Sequence, residues 1–134
     1  MKIFVVDDSM MLRERIIDML SELSGIEISG QAQDAPSATQ AICDLKPDVV
    51  TLDIQLIEGN GVDVLKKIKQ EDHVPVVIML TNSTALPYRK RCMEAGADFF
   101  LDKSTEFGKL RVIVQGLLER FQMTVTKAPL GFGG

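Results

Sequence analysis

Tryptophan is absent from the chain, tyrosine and histidine occur once each, and cysteine occurs twice. With so few soft ligands, and with Cys43 and Cys92 far apart in no ligand-like spacing, the sequence argues against a zinc centre. Both thiols read as reduced structural residues of a cytoplasmic protein. No apolar run approaches the ~18 residues that a membrane-spanning helix needs. Met1 to Leu12 is too short for a signal peptide, and Asp7 and Asp8 make it too acidic. Positive charge is also scarce. Fifteen Lys and Arg stand against nineteen Asp and Glu, for a net charge of −4, which argues against binding to nucleic acid. There is no internal repeat and no low-complexity block. What the chain does have is 46% hydrophobic and 25% charged residues over 134 positions, which fits one domain with a workable core.

The centre of that domain is Pro47 to Gly61. Here the apolar run Val49-Val50-Thr51-Leu52 ends abruptly in Asp53, and a turn rich in Gly and Asn follows. A continuous apolar run reads as a strand buried on both faces, the kind found inside a parallel sheet. Such sheets build their sites at the carboxyl ends of strands. Asp53 therefore reads either as a site residue or as a turn and capping aspartate.

The rest of the chain repeats the pattern. Lys2 to Val6 is a buried strand closed by Asp7-Asp8, and Ser9 is positioned to cap a helix over Leu12, Ile16, Met19, Leu20 and Leu23. Between these apolar residues Arg13, Glu14, Arg15 and Asp18 read as the wet face, and Gly25 as the stop. Ile26 to Ala32 suits a strand nearer the sheet edge. Asp34 and Pro36 open a second helix that runs to Leu45, and Val62, Leu65 and Ile68 mark a third. Val76 to Leu80 is another apolar strand, ending at Thr81-Asn82-Ser83. Thr84 is then expected to cap a fourth helix, with Pro87 in its first turn and Gly96 at its end. Asp98 to Leu101 is a short fifth strand followed by Asp102-Lys103. Ser104 or Thr105 is expected to cap a last helix over Leu110, Ile113, Val114, Leu117, Leu118 and Phe121. Five strands alternating with five helices imply an α/β fold, a doubly wound parallel sheet with right-handed crossovers. The domain is expected to span 1–121, and 122–134 to be a flexible tail or linker.

Four strands thus end in polar residues: Asp7-Asp8, Asp53, Thr81 and Lys103. In a parallel sheet these ends share one edge. Clustered carboxylates call for a hard divalent cation, and Mg²⁺ suits them because it accepts oxygen ligands and keeps several waters. A hydroxyl and an ammonium beside a metal-bound carboxylate form a receptor for a phosphoryl group in flight. Asp53 is then a nucleophile that forms an aspartyl phosphate.

The ordered segments VVDDS, DVVTLDIQLIEGNG, VPVVIMLTN and EAGADFFLDKS resemble the receiver domain of two-component response regulators, of the chemotaxis-regulator type, over residues 1 to about 121. That resemblance implies a (βα)5, flavodoxin-like fold with strand order 2-1-3-4-5. It also implies phosphorylation by a sensor histidine kinase or a histidine phosphotransfer protein, and signalling to a downstream protein effector, all in the cytoplasm. Asp53 matches the phosphoacceptor and Asp8 the direct Mg²⁺ ligand. Asp7 matches the neighbour acting largely through water, and the main-chain carbonyl of Gln55 the third ligand. Thr81 matches the switch hydroxyl and Lys103 the lysine that pairs with the phosphoryl group. Phe100 matches the switch aromatic, although without the resemblance it reads as ordinary core. The chain is then not an enzyme but a phosphoacceptor that assists its own phosphorylation and dephosphorylation.

Three departures from the family pattern stand out. Ile57 replaces a frequent proline, so the loop from Ile54 to Asn60 is expected to be less rigid. Asn82 replaces a small residue beside the switch hydroxyl. Ser104 replaces the proline after Lys103, and a trans bond is expected there, since a cis non-proline peptide costs roughly 2.5–4 kcal/mol. The implied output surface joins the fourth helix, fifth strand and fifth helix, with Tyr88, Arg89, Lys90, Arg91, Glu94, Lys109, Arg111 and Gln115. Its basic run is either a docking patch for an acidic partner or a solvated helix face. The resemblance also allows a homodimer linked to phosphorylation. The chain is expected to have no membrane partner and no nucleic-acid partner of its own. It reads as a stand-alone receiver or one excised from a longer regulator. Against this stand a receiver that no longer switches and serves as a scaffold, and a small Mg²⁺-dependent aspartyl phosphatase. The phosphatase would need an acid at position 55, where Gln55 supplies no proton. A nucleotide- or flavin-binding sheet lacks its Gly-rich loop.

Overall fold

The computed structural model describes the backbone of residues 1–130 and the side chains of 1–124. Five parallel strands form one sheet: β1 (Lys2–Val6), β2 (Glu27–Ala32), β3 (Val49–Leu52), β4 (Val76–Thr81) and β5 (Phe99–Asp102). Their order is β2-β1-β3-β4-β5, with β2 at one edge, as the weaker apolar pattern of that strand implies. Helices α1 (Met10–Ser21), α2 (Ala35–Leu45), α3 (Gly61–Ile68), α4 (Leu86–Glu94) and α5 (Phe107–Leu130) alternate with the strands.

Side chains alternate across each strand, so the sheet separates two cores. On one face Phe4, Val6, Val50, Leu52, Val77 and Met79 pack with residues of α2, α3 and α4. On the other, Ile3, Val5, Val49, Ile78 and Leu80 meet Ile16 and Leu20 of α1 and Leu110 and Val114 of α5. Strands covered on both faces explain the unbroken apolar runs in the sequence. Register does the rest: Val6 is opposite Leu52, Leu52 opposite Met79 and Met79 opposite Phe100. The polar residues that follow are therefore delivered to the same edge.

Most helix starts follow the local chemistry. Ser9 accepts from Leu12 N–H and Asp34 from Ser37 N–H, as expected. Asn60 caps α3 by accepting from Asp63 N–H. Two expected caps do not form. At α4 the N-cap is Ala85, not Thr84, and no side chain bonds there; proline in the first turn removes one of the donors a cap would serve. At the last helix, neither Ser104 nor Thr105 starts the element. The main chain instead makes a turn in which Glu106 N–H reaches Asp102 O at 2.8 Å and Ser104 N–H reaches the Asp102 carboxylate at 2.7 Å, so the helix begins at Phe107.

Helix α5 also continues to Leu130, through residues expected to form a tail. Residues 119–124 are exposed, so this part of the helix has no apolar stripe to read in sequence; residues 131–134 lie outside the described residues. A further difference concerns Arg13, which is buried rather than solvated.

Both cysteines are free. The Cys43 thiol donates to Glu71 at 2.8 Å, and that carboxylate, with some help from burial, holds the thiol up at about 11. Burial likewise raises Cys92. Both are thiols rather than thiolates at neutral pH, which suits structural rather than reactive cysteines.

Candidate functional site at the carboxyl edge of the sheet

The turn after β1 carries two acids with opposite surroundings. Asp7 and Asp53 are 1% and 4% exposed, whereas Asp8 is exposed. One carboxylate oxygen from each of the three lies within 4.8 Å of the others. Lys103 reaches into this cluster from the turn after β5. Its Nζ is 2.6 Å from Asp7 Oδ2 and 2.6 Å from Asp53 Oδ2. Asp7 Oδ1 accepts from Ser9 N–H at 2.9 Å, and Asp53 Oδ1 from Gln55 N–H at a long 3.4 Å. Asp53 is thus held firmly through one oxygen and loosely through the other.

The charges set each other. Burial raises the Asp7 carboxyl above its ordinary value, against the pull of the Lys103 ammonium. Burial alone would lower Lys103, but its hydrogen bonds to Asp53 and Asp7 outweigh this and raise it. Three carboxylates against one ammonium leave the cluster short of positive charge. Oxygen donors crowded this way fit a hard divalent cation such as Mg²⁺.

The loop between β3 and α3 closes over Asp53. Gly61 N–H donates to Ile54 O at 2.7 Å, and Gln55 pairs with Asn60 across the loop. Ile57 is 63% exposed, yet its N–H donates to Gln33 O at 3.2 Å, and Glu58 O accepts from Ala35 N–H at 2.8 Å. These two bonds pin the loop to the start of α2, so the missing proline does not leave it untethered. Between this loop and α4 lies an open cleft of about 520 Å³, bordered by Asp8, Gln55, Asn60, Tyr88 and Arg91.

Thr81 is fully buried at the end of β4, and its Oγ1 accepts from Ser83 N–H at 3.0 Å. That bond leaves the hydroxyl proton free to donate. Phe100, 7% exposed, belongs to the α2–α3–α4 core, and the Arg89 guanidinium lies 5.5 Å from its ring centroid. The ring already sits inside, under a cation–π contact.

The two remaining departures meet each other. Ser104 Oγ donates to Asn82 Oδ1 at 3.1 Å, tying the turn after β5 to the turn after β4. Lys103 N–H donates to Thr81 O at 3.0 Å just inside this tie, and no cis peptide occurs among the described residues. Asn82 and Ser104 thus supply between them a restraint on the lysine turn where proline is absent. Asn82→Ala and Ser104→Ala should each lower stability by about 0.5–1 kcal/mol, and the double variant by no more than the larger single effect. Urea unfolding of the four proteins measures this; additive losses would show that the two side chains act apart.

Of the sequence-predicted residues, Asp7, Asp8, Asp53 and Lys103 come together directly. Gln55 and Thr81 flank them, and Phe100 stands back in the core. Arg13 was missed: its Nη1 donates to the main-chain oxygen of Asp7 at 2.6 Å.

Among known proteins, the sequence matches the response regulator receiver domain family over residues 3–115. A protein-glutamate methylesterase/protein-glutamine glutaminase of Methanospirillum hungatei is 35% identical over 114 residues, which cover 84% of this chain and 33% of that protein. The corresponding protein of Bacillus subtilis is 37% identical over 103 residues, or 76% of this chain and 29% of its own length. The chain spans about a third of the length of such relatives. The crystal structure of the response regulator domain of Thermotoga maritima CheB superposes with a TM-score of 0.77 at 26% identity, covering 90% of this chain and 94% of that one. No helix among the described residues is long and apolar enough to cross a membrane. Fold, acidic edge and sequence match agree: the chain belongs to the response regulator receiver domain family of two-component systems.

Proposed function

We propose that this chain is a phosphorylation-dependent switch in which Asp53 accepts a phosphoryl group from the phosphohistidine of a sensor kinase or phosphotransfer protein. The observation that carries this reading is the placement of the Asp53 carboxylate against the Lys103 ammonium, which also holds Asp7, and within reach of the acidic pair Asp7 and Asp8. Asp8, Asp53 and the main-chain carbonyl of Gln55 would hold a Mg²⁺ ion, with Asp7 acting largely through water, and the ion when bound would neutralise charge on the incoming phosphoryl oxygens.

The chain's own residues do the rest. An Asp53 oxygen attacks phosphorus, the phosphorus–nitrogen bond of the donor breaks, and its electron pair leaves with the imidazole. Lys103 exchanges its bond to Asp53 for one to a peripheral phosphoryl oxygen. Thr81, whose hydroxyl proton has no acceptor in its bond with Ser83, donates to another. Its movement toward Asp53 loosens the turn after β4, and α4 follows with Arg89 over Phe100. The signal then leaves by the face formed by α4, β5 and α5, as a shift between two populated states. The chain acts as a phosphoacceptor rather than as an enzyme on other substrates, in the cytoplasm alongside its kinase. The methylesterase relatives suggest that the element under control is an attached or separate catalytic domain.

The test is intact-protein mass after incubation with Mg²⁺ and acetyl phosphate. One added phosphoryl group is expected, absent in Asp53→Asn and absent in excess EDTA. An equal gain in Asp53→Asn would reject this reading.

A further inference from the structure

Arg13 is the only charged residue of α1 that the fold buries, at 7% exposure. No carboxylate lies within 4.0 Å of its guanidinium among the described residues. A buried cation without a counter-ion is costly unless its donors are well used. Here Nε donates to Gln31 Oε1 at 2.8 Å and Nη1 to the main-chain oxygen of Asp7 at 2.6 Å. That oxygen lies one residue past the last ladder position of β1, Val6, whose own oxygen accepts from Asp53 N–H. It belongs to the peptide unit that joins Asp7 to Asp8. Asp7 N–H is itself fixed, donating to Ala32 O at 3.1 Å.

From these contacts we infer that Arg13 is a positioning residue for the metal site. It locks the peptide from which Asp7 turns inward to Lys103 while Asp8 turns outward to the cleft. The inference rests on the Mg²⁺ reading of the acidic cluster. Two simpler roles lead to different outcomes. If Arg13 only fills space, an apolar side chain of similar length keeps Mg²⁺ affinity. If its charge matters only by repelling the metal, removing it tightens Mg²⁺ binding. A positioning role alone makes the affinity fall, and partners that orient metal ligands typically carry about 10–100-fold in affinity.

The experiment is calorimetric titration of the whole chain with Mg²⁺, without any phosphodonor, on wild type, Arg13→Met, Arg13→Lys and Gln31→Ala. Urea unfolding in EDTA reports the folded fraction separately. Arg13→Met is expected to bind Mg²⁺ about 10-fold more weakly or worse. Arg13→Lys should recover part of the loss, because an ammonium reaches the same carbonyl. Gln31→Ala keeps the guanidinium but frees its Nε, and should lose affinity by a smaller factor; it and Arg13→Lys decide the matter if Arg13→Met does not fold. Folded variants with unchanged or tighter Mg²⁺ binding would overturn the inference. A wild-type chain that binds no Mg²⁺ overturns the functional reading, and this inference with it.

Discussion

Replacing Lys103 with methionine should destabilise the domain at neutral pH by about 3 kcal/mol, the cost typical of removing one partner from a buried ion pair. Lys103 has 10% of its side chain exposed and sits 2.6 Å from both Asp7 and Asp53, so its loss leaves two buried carboxylates facing each other. The sign of the pH dependence follows. In the wild type, Lys103 is raised above its ordinary value of 10.5, with burial opposing and the Asp53 and Asp7 bonds prevailing. Its contribution is fully present below 10.5 and is lost as pH rises through the higher folded value. Asp7 is raised above 3.8, chiefly by burial, so its ionisation costs stability as pH rises from that value to the folded one. Without Lys103 the Asp7 carboxyl is pushed up further. The variant should therefore lose the alkaline fall and regain stability on acidification, as the Asp7 carboxyl takes up a proton. Urea midpoints between pH 5 and 11 measure both effects. Parallel wild-type and variant curves would show that the lysine does not hold the two acids together.

Gly61→Ala should cost as much or more, for a reason unrelated to charge. A Cβ at this position would lie 1.9 Å from the main-chain oxygen of Asp53 and 2.8 Å from its carbonyl carbon. Those atoms are backbone and cannot rotate away. The same glycine donates to Ile54 O at 2.7 Å, closing the loop over the acid. The turn must therefore open and shift Asp53, at a cost of about 3 kcal/mol or more, beyond ordinary overpacking. The expected outcome is a lower urea midpoint together with much slower phosphorylation of the fraction that remains folded. A midpoint within error of wild type would mean that the loop yields without strain.

Much of this was readable in advance, because two faces of burial leave a plain mark. Strands β3 and β4 are covered by helices on both sides, so apart from the buried Thr51 they are apolar up to the point where the acid or hydroxyl begins. Parallel register then brings those ends together, which is why a list of strand-terminal residues anticipated the cluster. What escaped depends on contacts between segments distant in sequence. Arg13 sits three residues before Ile16 and seven before Leu20, on the buried stripe of α1, but its charge disguised the spacing. The Ser104 hydroxyl looked like a helix cap and is used instead by Asn82, 22 residues away. The continuation of α5 past Phe121 leaves no mark in the sequence, because exposed residues such as those at 122–124 carry no periodic apolar signal.

The most direct measurement of the central claim is the position of the phosphoryl group. After treatment with Mg²⁺ and acetyl phosphate, borohydride reduces an aspartyl phosphate to homoserine, and peptide sequencing by mass spectrometry locates it. Homoserine at position 53, and at no other acid, is the expected result. Homoserine at Asp7 or Asp8, or a phosphoryl group on a residue that borohydride does not reduce, would contradict the account.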